Sequence, residues 1–173
     1  NASAPDVTKR AKEITAPGKA IPWIFRVIET TDQSNFAMGT WDYKNTPYRK
    51  MVVMATDIVS GHDVAGAFRA AFTAAGGEIL KEIYIPTGTP DVAPYVAQLA
   101  ALGADAVYVF SGGADAIRLV KTYEEYGLKG KLPLLAYNTL VDDILLPAMG
   151  DAAVGIIAVG TYSAALDTPE SRA

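Results

Sequence analysis

The chain has one histidine, His62, and the serine nearest to it in sequence is Ser60. A catalytic triad places its nucleophile and its base on separate loops, and Ser60 is too close to His62 for that arrangement. The G-x-S-x-G turn that would expose a nucleophilic serine is also absent. These residues therefore do not predict a hydrolase, and His62 is interpreted as a solvated side chain in the first turn of a helix.

A helix that begins near Ser60 and Gly61 could instead bind phosphate, because its first amide groups and its dipole favour anions. The motifs G-x-G-x-x-G and G-x-x-x-x-G-K-[ST] are absent, and the SGG run at 111–113 is too short to cradle a pyrophosphate. The chain has no cysteine, which excludes a cysteine-based metal site. Asp142 and Asp143 are interpreted as solvated, since neighbours on a helix point in different directions. The residues predict no metal and no cofactor, and a Rossmann-like enzyme is the least favoured alternative.

A third group of side chains stands where predicted strands end. Phe110 and Ser111 end one strand, and Tyr137 and Asn138 end another. The carboxyl ends of parallel strands form the ligand-binding edge of an α/β sheet. An aromatic wall with two hydrogen-bonding groups suits a small ligand there. The alternative is that these residues close the core and cap their loops.

The elements that position these residues alternate regularly along residues 48–160. Residues 51–55 are a short unbroken apolar run, the pattern of a strand buried on both faces of a parallel sheet. Apolar residues at helical spacing follow from residue 64 to residue 75, and Gly76 and Gly77 end that helix. The pattern repeats, with strands predicted at 79–85, 106–110, 132–136 and 154–159 and a short helix at 141–149. It predicts an α/β fold with a doubly wound parallel sheet and right-handed crossovers.

An incomplete βα unit precedes this domain. Residues 22–28 form a plausible strand, and Thr31 or Asp32 is a suitable N-cap for a helix that ends near 45–47. No other segment supplies an obvious sheet partner for that strand. We therefore expect residues 1–45 to be only partly ordered or to borrow partners.

The composition excludes some classes of partner. Half of the 173 residues are hydrophobic, 20% are charged and the formal net charge is −4, as in an ordinary globular protein. No basic run offers an electrostatic footprint for nucleic acid or an anionic membrane. No apolar stretch reaches the roughly 20 residues that span a bilayer, and no signal segment opens the sequence.

The order and spacing of seven segments are more specific than any one of them. Together they resemble the type I periplasmic solute-binding proteins of ABC importers, in the branched-chain amino-acid-binding (Leu/Ile/Val-binding) group. The segments are NASAPDVT (1–8), WIFRVIETTDQSNFAMG (23–39), DIVSGHD (57–63), AAGGEI (74–79), TPDVAPYVAQLAALGADAVYV (89–109), EYGLKGKLPLL (125–135) and GDAAVGI (150–156).

This resemblance implies a fragment of a longer, two-lobed protein in the periplasm. Residues 1–47 would end the first lobe and cross over, residues 48–160 would form the second lobe, and residues 161–173 would return to the hinge. Lobes of this kind close on a solute by a hinge motion. The implied function is non-enzymatic delivery of a small carboxylate to the membrane permease of an ABC importer. The alternative is a ligand-sensing receptor or regulator domain of the same fold.

The resemblance also indicates which residues of this chain stand at the family's pocket positions. Two of these residues differ from the pattern of the amino-acid-binding relatives. Amino-acid-binding relatives usually have an aromatic residue where this chain has Ser60, and an acidic residue where it has Asn138. A neutral amide does not pair with an ammonium group, so an aromatic or other apolar acid is favoured over an amino acid. The implied ligand contacts are Asn1 and Ser3 of the first lobe, and Ser60, Phe110, Ser111, Gly112 and Asn138 of the second, beside Tyr137.

Overall fold

The computed structural model describes residue 23, residues 29–163 and residues 166–169. Within these residues, five strands form one parallel sheet in the order β2-β1-β3-β4-β5. The strands are β1 (Lys50–Thr56), β2 (Glu78–Ile85), β3 (Ala106–Phe110), β4 (Leu134–Tyr137) and β5 (Ile157–Val159). The helices are α1 (Thr31–Asn45), α2 (Val59–Ala74), α3 (Ala93–Ala97), α4 (Gly113–Glu125) and α5 (Leu146–Met149). The predicted parallel α/β fold is confirmed.

Helices cover both faces of the sheet. Alternate residues of β1 and β3 point to opposite sides, because successive side chains of a strand do so. On one side Val52, Met54, Val107 and Val109 pack with residues of α3 and α4, including Val96, Leu119 and Val120. On the other side Met51, Val53 and Tyr108 pack with Met38 of α1 and with Phe68 and Phe72 of α2. The doubly wound arrangement follows from this division.

Several element bounds differ from the sequence prediction. The α2 helix begins at Val59, so the segment 59–63 is helical rather than loop. The helix predicted at 141–149 is divided into a 3-10 turn, Asn138–Val141, and a single turn at α5, because Asp142 has an extended backbone between them. The strand predicted at 154–159 is shorter, since Gly155 has a positive φ of 94° that a strand does not accommodate.

The α1 helix packs against α2 and β3. A Cβ atom added to Gly39 would lie 2.6 Å from the Phe68 carbonyl oxygen, which shows how close the two helices are. The Tyr108 hydroxyl donates a hydrogen bond to Asn35 Oδ1. These contacts attach α1 to the parallel sheet, whereas the sequence interpretation grouped it with the residues before it. The strand predicted at 22–28 lies outside the described residues apart from Trp23, and the other domain bounds stay predictions.

A buried acid lies on the inner face of α1. The Thr46 hydroxyl donates to Asp42 Oδ1 at 2.7 Å, and Asp42 Oδ2 has no hydrogen-bond partner among the described residues. Burial raises the pKa of Asp42 to about 6, against the lowering effect of the Thr46 hydrogen bond. This helix interface therefore contains a group that titrates in mildly acidic solution.

Candidate functional site

Two aromatic side chains stand side by side at the carboxyl edge of the sheet. Phe110 ends β3 and Tyr137 ends the neighbouring β4, and their ring centroids are 5.9 Å apart with an angle of 38° between the planes. Phe110 is buried and Tyr137 is half-buried. The β3–β4 register, in which Val109 pairs with Ala136, brings the two strand ends to the same level. The two predicted aromatic side chains are therefore neighbours, and their role as a ligand wall stays a prediction.

Contacts of threonine hydroxyls join the ends of β1, β3 and β4 next to these two rings. The Thr139 hydroxyl donates to the Ser111 carbonyl oxygen at 2.9 Å. The Thr56 hydroxyl lies 3.4 Å from Ser111 Oγ and 3.5 Å from the Phe110 carbonyl oxygen. Ser111 and Thr56 are both buried. Sequence reasoning missed Thr56 and Thr139, although each is a polar residue at the end of an apolar run.

Asn138 carries an unsatisfied buried atom. Its Oδ1 atom has no hydrogen-bond partner among the described residues. A buried amide oxygen normally has a partner, and leaving it without one costs about 1–3 kcal/mol. Asn138 lies on an open cleft of about 480 Å³ whose lining includes Val141, Gly160 and Tyr162. Other atoms of Asn138 line this open space, whereas Oδ1 itself is buried.

Gly160 makes room for that amide. A Cβ atom at Gly160 would lie 2.9 Å from both Cβ and Nδ2 of Asn138. Any larger residue would have to displace the Asn138 side chain. Gly160 follows β5 directly, and no sequence motif marks it as part of a site. Asp142 and Asp143, at the border of the cleft, are exposed, as their solvated interpretation requires.

The segment that carries Ser60 packs against the end of β1. A Cβ atom at Gly61 would lie only 2.0 Å from the Thr56 carbonyl oxygen and 3.5 Å from Phe110 Cδ1. Only glycine permits the first turn of α2 to approach β1 and the aromatic wall this closely. Ser60, half-buried, is the neighbour of Gly61 in that turn.

His62 is not simply solvated. Its side chain is 51% exposed, yet its Nε2 atom lies 2.7 Å from Asp57 Oδ1. Its ring stacks on Tyr84 of β2, with centroids 4.0 Å apart and 22° between the planes. The Tyr84 hydroxyl donates to Glu82 at 2.9 Å, and burial together with Glu82 raises the pKa of Tyr84 to about 12.

A further acid contacts the aromatic wall from the start of the described chain. The hydroxyls of Tyr137 and Ser34 both donate to Glu29 Oε1, at 3.4 and 3.3 Å. Burial, followed by the charge of Glu29, raises the pKa of Tyr137. Glu29 therefore joins the segment that enters this unit to one wall of the candidate site.

Residues 5–173 match the family model described as periplasmic binding protein. The chain belongs to the periplasmic binding protein family. A curated relative, Leu/Ile/Val-binding protein homolog 6 of Brucella melitensis biotype 1, is 34% identical over 153 residues. That match covers 87% of this chain and 39% of the relative, so the chain spans well under half of the relative's length.

Solved structures of periplasmic binding proteins agree with this assignment. An ABC transporter substrate-binding protein from Sphaerobacter thermophilus is 38% identical, with a TM-score of 0.85 over 93% of this chain and 44% of that one. A solute-binding protein of an ABC transporter from Rhodopseudomonas palustris BisB5, solved with 3,4-dihydroxybenzoic acid, is 32% identical. Its TM-score is 0.78, over 89% of this chain and 42% of that one.

His62, the histidine of this periplasmic binding protein, is paired with a carboxylate. Asp57 occupies the Nε2 atom of His62, and no serine donates to His62 within the described part of the chain. Residues 29–163 and 166–169 contain no group of three or more acidic or histidine side chains that could hold a metal ion. In the same part of the chain, no helix has the length and apolar character of a membrane span.

The structure brings together four of the predicted contact residues: Phe110, Ser111, Tyr137 and Asn138. Ser60 and Gly112 begin the two helices, α2 and α4, that start at the same edge of the sheet. Asn1 and Ser3 lie outside the described residues. The role of each as a ligand contact of this family member stays a prediction.

Proposed function

We propose that this chain supplies one lobe of an extracytoplasmic solute-binding protein. The whole protein would bind a small aromatic or other apolar carboxylate between two lobes and deliver it to the membrane permease of an ABC importer. Membership of the periplasmic binding protein family supports the general role. The observation that supports the ligand class is a neutral amide, Asn138, which lines an open cleft and directly follows the Tyr137 ring that lies beside Phe110.

A neutral amide at this position favours a ligand without an ammonium group. An asparagine can donate to a carboxylate or a hydroxyl and can accept from a hydroxyl. Its oxygen can accept from an ammonium group but carries no charge to balance that group, and a buried charge without a charged partner is costly.

The names of the relatives point to two ligand classes. The Brucella relative is named as a homolog of a Leu/Ile/Val-binding protein. The structure from R. palustris BisB5 holds 3,4-dihydroxybenzoic acid, which has a ring, a carboxylate and no ammonium group. The Phe110–Tyr137 wall and the neutral Asn138 fit the second class better, because rings stack on aromatic side chains.

One lobe alone would bind its solute weakly. Small-molecule pockets normally bury about 70–90% of the ligand, and a cleft open on one side buries much less. We expect calorimetry on this chain by itself to detect no binding stronger than micromolar. Submicromolar affinity of the isolated chain for an aromatic acid would contradict the two-lobed proposal.

The ligand class is tested by calorimetry on the two-lobed protein that contains this chain, with benzoate, 3,4-dihydroxybenzoate, leucine and valine. The wild-type protein should prefer the aromatic acids. Asn138→Asp should weaken their binding about tenfold to hundredfold, since it sets a carboxylate against the ligand's own.

Asp143→Asn is the matched control, because this exposed acid borders the same cleft. It should change affinity by no more than about threefold, since solvent and salt screen exposed charges. Tight binding of leucine by the wild-type protein, without preference for the aromatic acids, would refute the proposed ligand class.

A further inference from the structure

Contacts at two points hold the connection from β1 to α2, and neither point belongs to the proposed pocket. The first point is Asp57, whose backbone amide donates to the Ile85 carbonyl oxygen at 2.8 Å and whose Oδ1 atom lies 2.7 Å from His62 Nε2. The two side chains meet across five positions of sequence, and Ser60 lies between them. The contact therefore closes the segment that holds Ser60 into a loop.

The second point is the ring of His62. It stacks on Tyr84, and the Tyr84 hydroxyl donates to Glu82 Oε2. Glu82 Oε1 in turn lies 2.6 Å from Arg69 Nη1, further along α2. The imidazole is thereby held to the surface of β2 through its ring face and to Asp57 through its Nε2 edge.

This arrangement restricts where the Ser60 segment can go. On its inner side Gly61 already touches the end of β1, with no room for a Cβ atom beside the Thr56 carbonyl oxygen. On its outer side the Asp57–His62 contact and the Tyr84 stack hold it. The Thr56 carbonyl oxygen limits the segment on one side and the Asp57–His62 contact holds it on the other. Only the Asp57–His62 contact is reversible.

We propose that Asp57 and His62 form a latch that positions Ser60 at the ligand-binding edge, and that protonation of His62 tightens the latch. The proposal rests on the proposed function, because it assigns these two residues a positioning role for solute binding. Its consequence is that the protein holds its solute more tightly in mildly acidic than in mildly alkaline solution.

The sign follows from the charges around the imidazole. Histidine side chains change charge between about pH 5 and 8. A histidinium carries a positive charge that attracts the Asp57 carboxylate, and a neutral ring lacks this charge. The other charged or titratable groups near His62 are Asp63 in its own turn, Asp32 of α1 on the same groove, Tyr84 and Glu82 on β2, and Arg69 on α2.

The size of the effect is limited by solvent. Both members of the pair are 51% exposed. Exposed pairs make small contributions, so affinity should change by about twofold to fivefold between the two protonation states.

The first experiment measures the affinity of the two-lobed protein for benzoate, which stays a carboxylate throughout, at about pH 5.5 and pH 8. Wild-type protein should bind about twofold to fivefold more tightly at the lower pH. His62→Gln keeps a donor but cannot be protonated, so its affinity should not change with pH. Lys121→Gln, the control, changes an exposed residue of α4 outside this connection and should retain the wild-type profile. A pH dependence that persists in His62→Gln would overturn the proposal.

A double-mutant cycle then separates positioning from general stabilisation. Asp57→Asn should weaken binding in the wild-type background and have no further effect in Ser60→Ala, because the group that the latch positions is gone. Additive effects would mean that the pair only stabilises the fold, and would also overturn the proposal.

A last measurement needs no ligand, so it distinguishes failure of the latch from failure of the proposed function. The Nε2 proton of His62, assigned by its loss in His62→Gln, should be visible by NMR at about pH 5.5 because its hydrogen bond slows exchange with water. Asp57→Asn should abolish the signal. If no acid binds to the wild-type protein, the proposed function fails, whereas an Nε2 proton that survives Asp57→Asn overturns the latch itself.

Discussion

The approach of α2 to β1 predicts that the same substitution has opposite effects at two positions of one helix. Gly61 and Gly66 both lie in α2. A Cβ atom at Gly61 would be 2.0 Å from the Thr56 carbonyl oxygen, whereas a Cβ atom at Gly66 would meet nothing within 4 Å. Glycine-to-alanine changes at these sites therefore share the same gain in helix propensity and differ in the steric term.

The magnitudes decide the sign at each position. Alanine is about 1 kcal/mol more favourable than glycine in a helix interior, so Gly66→Ala should stabilise the protein by about 0.5–1 kcal/mol. At Gly61 the Thr56 oxygen would have to move by about 1 Å. That oxygen belongs to the backbone and accepts from the Ile58 amide at 2.8 Å, so it cannot swing aside like the end of a side chain. Overpacking of this kind costs about 1–3 kcal/mol, which exceeds the propensity gain or cancels it.

The assay is urea denaturation followed by circular dichroism, with the two alanine variants beside the wild-type protein. We expect the free energy of unfolding to differ by about 1–3 kcal/mol between the two variants, with Gly61→Ala the less stable. Gly61→Ala should also weaken solute binding, because it displaces the neighbouring Ser60. Equal stability of the two variants would refute the seating of α2 on the end of β1.

Three further predictions concern other contacts. Gly39→Ala should destabilise the protein by about 1–3 kcal/mol in the same urea assay, since its Cβ would lie 2.6 Å from the Phe68 carbonyl oxygen; stability like that of Gly66→Ala would contradict the α1–α2 packing. Because Asp42 has a pKa of about 6 in the folded protein, against an ordinary 3.8, the free energy of unfolding should fall by up to about 3 kcal/mol as pH rises from about 3 to about 7. Asp42→Asn should remove that part of the slope in denaturation at several pH values, and an unchanged slope would show that Asp42 is not the group responsible. Gly160→Ala should weaken aromatic-acid binding by calorimetry, because its Cβ atom would lie 2.9 Å from Cβ and Nδ2 of Asn138 and would displace that side chain; unaltered affinity would count against Asn138 as a ligand contact.

The sequence predicts strand bounds well where both faces of the strand are buried. Residues 106–110 were predicted as a strand and form β3, because an unbroken apolar run with no glycine or proline leaves no competing conformation. The α2 start was missed because Ile58, its N-cap residue, has no side-chain oxygen to mark a helix boundary. The region 138–159 was least predictable, since short turns and two glycines with positive φ, Gly150 and Gly155, decide its path.

The candidate site was also only partly predictable from the sequence. Phe110, Ser111, Tyr137 and Asn138 could be proposed from the sequence, because each stands at the end of a predicted parallel strand and such ends share one edge. The contacts of Thr56 with Ser111 and of His62 with Tyr84 could not, because they join residues distant in sequence and depend on strand register and on the path of the β1–α2 segment.

Strand register also explains why the latch and the aromatic wall belong to one assembly. In the register of the sheet, Ala55 of β1 pairs with Tyr84 of β2 on one side and with Phe110 of β3 on the other. The segment that leaves β1 therefore reaches both neighbours: His62 stacks on Tyr84, and Gly61 lies beside Phe110. A change at Tyr84 or His62 can reach the aromatic wall through the backbone of residues 57–60. The Thr56 carbonyl oxygen blocks movement of the adjacent Gly61 towards the sheet. In the proposed function, solute affinity would therefore depend on Tyr84 and His62, which the solute itself need not touch.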